Sequence, residues 1–254
     1  MCSSDLTVDY RERLAAAGRF AGGYLKREGR PTTREILTSR LTDRPIRPLF
    51  PKGFVDEVQI MSNVMSCDGV NDPDVLSITA ASAALMVSGL PFRGPIAAVR
   101  VGMEGETLVL MPTVEQMKTS KLDLVVAGSR DAVLMIEGFG QQIPEKEMGD
   151  AIMFAHRHIQ SLCQLQLKLV AEAGIELPVI TEPAENPFYA TLKADAYAAL
   201  TEAKTAPKKQ ERAERVKALK KSLVEKYFPN ETDTTAEGLT KAQFANAFHD
   251  RSEE

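Results

Sequence analysis

Residues 96–137 read IAAVRVGMEGETLVLMPTVEQMKTSKLDLVVAGSRDAVLMIE, and this stretch decides the fold. It breaks into four short runs, Ile96–Gly102, Thr107–Pro112, Leu122–Ala127 and Ala132–Glu137. Each is apolar or β-branched, each has the length of a strand, and Gly, Pro or charged turns separate them. Working outward, Val55–Ser66 is rich in Val, Ile and Met and suits a further half-buried strand. Pro73 opens a helix to about Ser88, with Leu76, Ala80, Ala83, Ala84 and Val87 as its apolar stripe. On the other side, Pro144-Glu145 opens a helix reaching about Ala173, with Ile152, Ala155, Ile159, Leu162, Leu165 and Leu169 at helical spacing. The order strand, helix, four strands, helix predicts an α+β domain with helices packed on one face of a sheet.

The ends read differently. Gly18, Gly22, Gly23 and Gly29 punctuate an irregular start, so Ala21–Pro31 is expected to be an exposed loop. Thr32 with Glu35 three residues later has the form of a capping box. A helix from Thr33 to about Asp43 should follow, ended by Pro45 and Pro48. Ile175–Pro187 carries three prolines and reads as a linker. Beyond it, Phe188–Ala203, Lys208–Tyr227 and Glu237–Asp250 are helical in pattern, with no strand between them. The expected organisation is an α+β core over 1–174, a linker over 175–187 and an all-α domain over 188–254. Three helices bury little core alone, which leaves both a complete chain and a truncated one open at this point.

Hydrophobic residues make up 44% and charged residues 26% of the chain, values that exclude wholesale disorder. No run approaches the roughly 18 apolar residues of a membrane span, and the N-terminus has neither a basic start nor an apolar core. Cys2, Cys67 and Cys163 are too few for a disulfide framework or a zinc site. A soluble, cytoplasmic chain without a membrane partner is expected. The net charge of −4 argues against nucleic acid, but the average hides a split. Residues 11–52 hold 11 Lys and Arg against four acids, a local net of +7, which leaves −11 for the rest. Such asymmetry points to an anionic partner at the basic segment.

Within that segment Arg40, Arg44 and Arg47 lie at i, i+4 and i+7, so a continuous helix would align them on one side. Just before it, Gly22-Gly23-Tyr24-Leu25-Lys26-Arg27 sets an aromatic beside two cations on a loop. Single-stranded nucleic acid calls for this combination: cations for phosphates and a ring for a base. The competing reading pairs the arginines with Glu28, Glu35, Asp43 and the acidic remainder. Other signals are weaker. His156 and His158 are two apart and face different ways. Lys208, Lys209, Arg212, Arg215, Lys217, Lys220 and Lys221 form a second basic run, by default a solvated helix face. Gly138-Phe139-Gly140 is too short for a phosphate loop, and Asp123 has no partner on spacing alone. No complete active site can be assembled from these residues.

The stretch Gly22–Pro31, followed by Glu35–Leu41 and Asp43–Pro51, resembles the polynucleotide phosphorylase family, and the likeness continues through Asp123–Ser129, Ile136–Gly138 and the helix after Pro144. It covers the chain from about Leu6 to the C-terminus, whereas Met1–Asp5 matches nothing recognisable. The resemblance implies a piece truncated at both ends: a first ribonuclease-PH-like core without its opening strands, plus an incomplete, RNA-associated all-α domain over 188–254. It implies a phosphate-dependent 3′-to-5′ exoribonuclease active in mRNA degradation as a homotrimer, with single-stranded RNA and inorganic phosphate as substrates. It further assigns RNA binding to Tyr24, Lys26, Arg27, Arg40, Arg44 and Arg47, with the loop constricting a trimer channel. In the family, catalysis and Mg2+ belong to a second core, where an acidic cluster and a lysine build the site. Here Val125 stands at the lysine position and Met117-Lys118-Thr119-Ser120 at the acidic cluster. Asp123 alone is a poor metal site, so no catalytic or metal-binding residue is expected in this chain. An active single-core ribonuclease and a non-catalytic interaction module are the alternatives.

Overall fold

The structure, a computed structural model, describes residues 6–19, 29–51, 53–180, 186–228 and 240–253. It divides into two compact units, Met1–Glu182 and Pro183–Glu254. In chain order the first unit contains β1 (Leu6–Glu12), α1 (Thr33–Ile46), β2 (Val58–Val64), α2 (Asp74–Val87), β3 (Ala97–Glu104), β4 (Thr107–Leu110), α3 (Val114–Thr119), β5 (Leu122–Gly128), β6 (Val133–Gly140) and α4 (Glu145–Glu172). Among the described residues no helix is long and apolar enough to cross a membrane.

The four strands expected between residues 96 and 137 form one antiparallel sheet in the order β4-β3-β5-β6. Their period-2 pattern has two cores to serve. Ala97, Val99 and Val101 of β3, with Leu122, Leu124 and Val126 of β5, face Ala151, Ala155, Ile159 and Cys163 of α4. The alternate residues Ala98, Val125 and Ala127 join Val75, Ile78, Ala81 and Leu85 of α2 in a second core. Helices thus cover both faces, where the sequence suggested one: residues of β3 and β5 pointing either way are buried, as both-sided cover requires.

Several elements depart from the expected bounds. Leu6–Glu12, read as irregular, is a strand paired in parallel with β2, from Leu6↔Val58 to Glu12↔Val64. Helix α1 runs through Pro45 to Ile46, because Pro45 falls in the last turn, where its missing N–H forfeits a single hydrogen bond. On α2 the buried side is Val75, Ile78, Ala81, Ser82, Leu85 and Met86, while Leu76, Ala80 and Ala84 of the expected stripe are exposed. That helix is apolar nearly all round, so its polar buried residues mark the inner face. Ser82 Oγ donates to Gln166 Oε1 at 2.8 Å and accepts from Ile96 N at 2.9 Å, and Gln166 Nε2 donates to Ile96 O at 2.8 Å. Buried polar groups persist only when satisfied in this way. On α4, Gln166 takes an inner position while Leu165 and Leu169 face out. At Gly138 an added Cβ would stand 2.5 Å from Asp123 O, so this glycine lets two strands approach rather than cradling a phosphate.

The second unit holds α5 (Phe188–Lys204), α6 (Lys209–Tyr227) and α7 (Lys241–Glu253). Its core is aromatic: Phe188 packs edge-on against Tyr227 and Phe244, with Phe228 and Phe248 alongside.

Candidate nucleic-acid interface

Helix α1 is fixed at its start by the capping box that its sequence predicts. Glu35 N donates to Thr32 Oγ1 at 3.2 Å, and Thr32 N donates to Glu35 Oε2 at 2.6 Å. Glu35 also reaches β1, accepting from Glu12 N at 2.9 Å. Burial works to raise the Glu35 carboxyl, but the N–H groups of Thr32 and Glu12, the Thr32 hydroxyl and nearby Arg11 outweigh it and hold its pKa below the usual range. A depressed carboxylate stabilises above its unfolded value and loses that contribution as pH falls through the folded one. Stability should therefore decline below pH 4.5, the ordinary value, and Thr32→Ala should cost about 1 kcal/mol in urea denaturation at neutral pH.

This anchoring presents one side of α1 to solvent. Arg47 is still in helical conformation (φ −52°, ψ −45°), so Arg40, Arg44 and Arg47 do align along one strip. Their circumstances differ. Arg40 is exposed and has no ion-pair partner among the described residues. Arg44 pairs with Glu137 of β6, both side chains about 52% exposed, and an exposed pair of this kind contributes only about 0–1 kcal/mol. Arg47 is drawn inward: its Nη2 stands 2.6 Å from Asp43 Oδ1 and 2.7 Å from Leu6 O, while Nε donates to Asp43 Oδ2 at 3.0 Å. It braces β1 against the end of α1. Ile36 and Leu37, exposed beside Arg40, add apolar surface that sequence reading passed over. Tyr24, Lys26 and Arg27 lie outside the described residues.

Asp123 is not alone. Arg100 Nε stands 3.2 Å from its Oδ1, within ion-pair range but misaligned for a hydrogen bond. The same guanidinium reaches Asp72 at 3.1 Å and Asp74 at 2.8 Å. Arg34 continues the network to Asp72 at 2.5 Å and Glu12 at 3.6 Å. Burial, seconded by Asp72, pushes the Asp74 carboxyl above its usual range against the pull of Arg100. A guanidinium therefore fills the space that a cation would need, and these carboxylates do not fit Mg2+. Among the described residues no group of three or more His, Cys, Asp or Glu is placed to hold a metal ion. His156 Nε2 lies 3.2 Å from Ser129 O, and the His158 ring packs edge-on to Phe154. Burial pushes the Cys163 thiol up to about 11, so it is no nucleophile at neutral pH.

Comparison with known proteins gives this geometry its context. The description "3′ exoribonuclease family, domain 1" matches residues 2–91, and "3′ exoribonuclease family, domain 2" matches residues 94–158. A polyribonucleotide nucleotidyltransferase from Rhodopirellula baltica is 44% identical over 248 residues, covering 98% of this chain and 33% of the relative. Relatives of the same name from Persephonella marina and Nitratidesulfovibrio vulgaris are 43% and 48% identical, covering 97% and 87% of this chain and 35% and 29% of their own. The chain thus spans about a third of the length of the curated relatives it matches. The crystal structure of rice (Oryza sativa) Rrp46 superposes with a TM-score of 0.52 at 11% identity, over 66% of this chain and 73% of that one, a likeness of fold alone. With both domain descriptions matched in order and close relatives along nearly its whole length, the chain belongs to the 3′ exoribonuclease family.

Proposed function

We propose that this chain is the RNA-holding part of a longer phosphate-dependent 3′-to-5′ exoribonuclease acting in cytoplasmic mRNA degradation. In that reaction a phosphate oxygen attacks the terminal phosphodiester phosphorus, the P–O3′ bond breaks and a nucleoside diphosphate leaves. The freed O3′ takes a proton and becomes the new end. Mg2+ would offset developing charge at a site supplied by another part of the longer protein. The residues of this chain hold the strand. Arg40 and Arg44 offer phosphate contacts along α1, Arg27 and Lys26 add charge from the loop, and Tyr24 offers a ring to a base. We further propose a homotrimer in which this loop narrows a central channel.

The observation that carries the reading is the anchored strip of α1, where among the described residues Arg40 has no ion-pair partner and Arg44 is held only by an exposed carboxylate. A phosphate can displace Glu137 at little cost, since exposed pairs contribute little. Asp43 and Leu6 already engage Arg47, which makes it the least available of the three. Single-stranded RNA binding titrated against salt tests this. Arg27, Arg40 and Arg44 each neutralising one phosphate give a slope of about −0.7 apiece, or roughly −2. A slope near zero would remove the electrostatic basis.

A further inference from the structure

The second basic run is one-sided once its charges are sorted in space. Helix α6 carries seven Lys and Arg against three Glu. At about 3.6 residues per turn Glu211, Glu214 and Glu225 fall on one side of the helix, and Arg212, Ala213, Val216, Lys217 and Lys220 on the other. Glu211 is engaged by Arg215 at 2.6 Å and Glu225 by Lys221 at 3.9 Å, while Lys226 reaches Asp195 of α5 at 2.6 Å. Among the described residues Lys204, Lys217 and Lys220 have no acidic partner.

That side of α6 is also left uncovered. Among the described residues of α6 Leu223 alone is buried, whereas α5 buries Phe188, Leu192, Ala196, Leu200 and Ala203. A groove of about 540 Å³ lies between Lys204, at the end of α5, and the five α6 residues from Arg212 to Lys220. Those α6 residues span about 12 Å of helix. Ala213 and Val216 form the floor, and the lysine stems add apolar wall beneath their ammonium groups. Arg212 turns away, donating to Ala206 O at 3.0 Å and to Pro207 O at 3.4 Å. Lys220 Nζ lies 5.7 Å from the Phe248 ring centroid, a contact that leaves its charge unneutralised. Among the described residues no aromatic ring lines the groove.

We propose that this groove docks an acidic amphipathic helix of a partner protein. Such a helix lays its apolar stripe into a groove through anchors at i, i+3 and i+4. The small Ala213 side chain lets the two backbones come to the separation of about 8–10 Å at which helices pack. Asp or Glu beside the apolar stripe meets Lys204, Lys217 and Lys220, as flanking charges do in coiled coils. Charge complementarity selects the occupant: three unpaired ammonium groups around an apolar floor attract an acidic helix and repel a basic one. Without a ring, the floor gives the bases of a single strand nothing to stack on. These residues belong to the second unit and Arg40 and Arg44 to the first, so the proposal does not depend on RNA binding by α1.

Fluorescence anisotropy with the full chain decides it, with circular dichroism to confirm helix content in each variant. The probe is a fluorescein-labelled peptide of about three heptads, with Leu at positions a and d and Glu at e and g. A scramble of the same composition and a version with Lys in place of Glu serve as controls. The Glu peptide should bind, and neither control should. Ala213→Glu, at an exposed position, should weaken binding by about tenfold or more, because it sets a like charge on the floor. Lys204→Glu, Lys217→Glu and Lys220→Glu together should abolish binding of the Glu peptide and confer binding of the Lys peptide. Failure of the Glu peptide to bind, equal binding of its scramble, or unchanged affinity in the folded Ala213→Glu chain would overturn the proposal. Oligoadenylate binding that the triple variant loses, in a chain that ignores the Glu peptide, would overturn it in favour of RNA.

Discussion

Replacing Arg100 with Met should destabilise the first unit by about 3 kcal/mol, measured by urea denaturation at pH 7. Its side chain is only 15% exposed and faces Asp72, Asp74 and Asp123 together. Removing one partner of a largely buried charge set leaves the others desolvated and uncompensated, which costs more than the set itself contributes. The pH dependence follows. Asp74 already sits above its usual range, and loss of Arg100 raises it further. A raised carboxyl stabilises below its unfolded value and loses that contribution as pH rises through the folded one. The variant should therefore regain stability on mild acidification, and Asp74→Asn in the same chain should restore part of the loss at pH 7. A loss under about 1 kcal/mol would instead place the network with ordinary exposed pairs.

Reversing both Arg40 and Arg44 to Glu should abolish most single-stranded RNA binding at moderate salt while leaving the fold intact. Each reversal removes a phosphate contact and adds a repelling charge, and the slope of binding against salt should flatten by about 1.4, two contacts at roughly 0.7 each. Stability should move by less than about 1 kcal/mol, because among the described residues Arg40 has no ion-pair partner and the Arg44–Glu137 pair is exposed. Unchanged RNA affinity in the folded double variant would remove α1 from the interface.

The sheet was legible because its strands are short, apolar and bounded by clear turns. The capping box was legible because Thr32 and Glu35 act within one turn of helix. Contacts between distant residues were not. β1 pairs with a strand some fifty residues later, and Leu6, Val8 and Tyr10 alternate too briefly to announce it. The inner faces of α2 and α4 carry Ser82 and Gln166, which a hydrophobic count places outside, because their mutual hydrogen bonds exist only once both helices are docked. Arg100 meets Asp123 through register: Gly102 lies opposite Asp123, which puts Arg100 on the diagonal. For the same reason Asp123 looked solitary in sequence. Helical spacing aligned the three arginines of α1 without showing what each would meet, and Asp43 with the Leu6 carbonyl makes Arg47 unlike the other two.

The central claim is that this chain holds RNA without cutting it. Its most direct test is incubation of the purified chain with labelled single-stranded RNA, inorganic phosphate and Mg2+, following bound RNA and released nucleoside diphosphate together. The expected result is bound RNA and no diphosphate, since Arg100 occupies the carboxylate set around Asp123. Diphosphate released by this chain alone would contradict it.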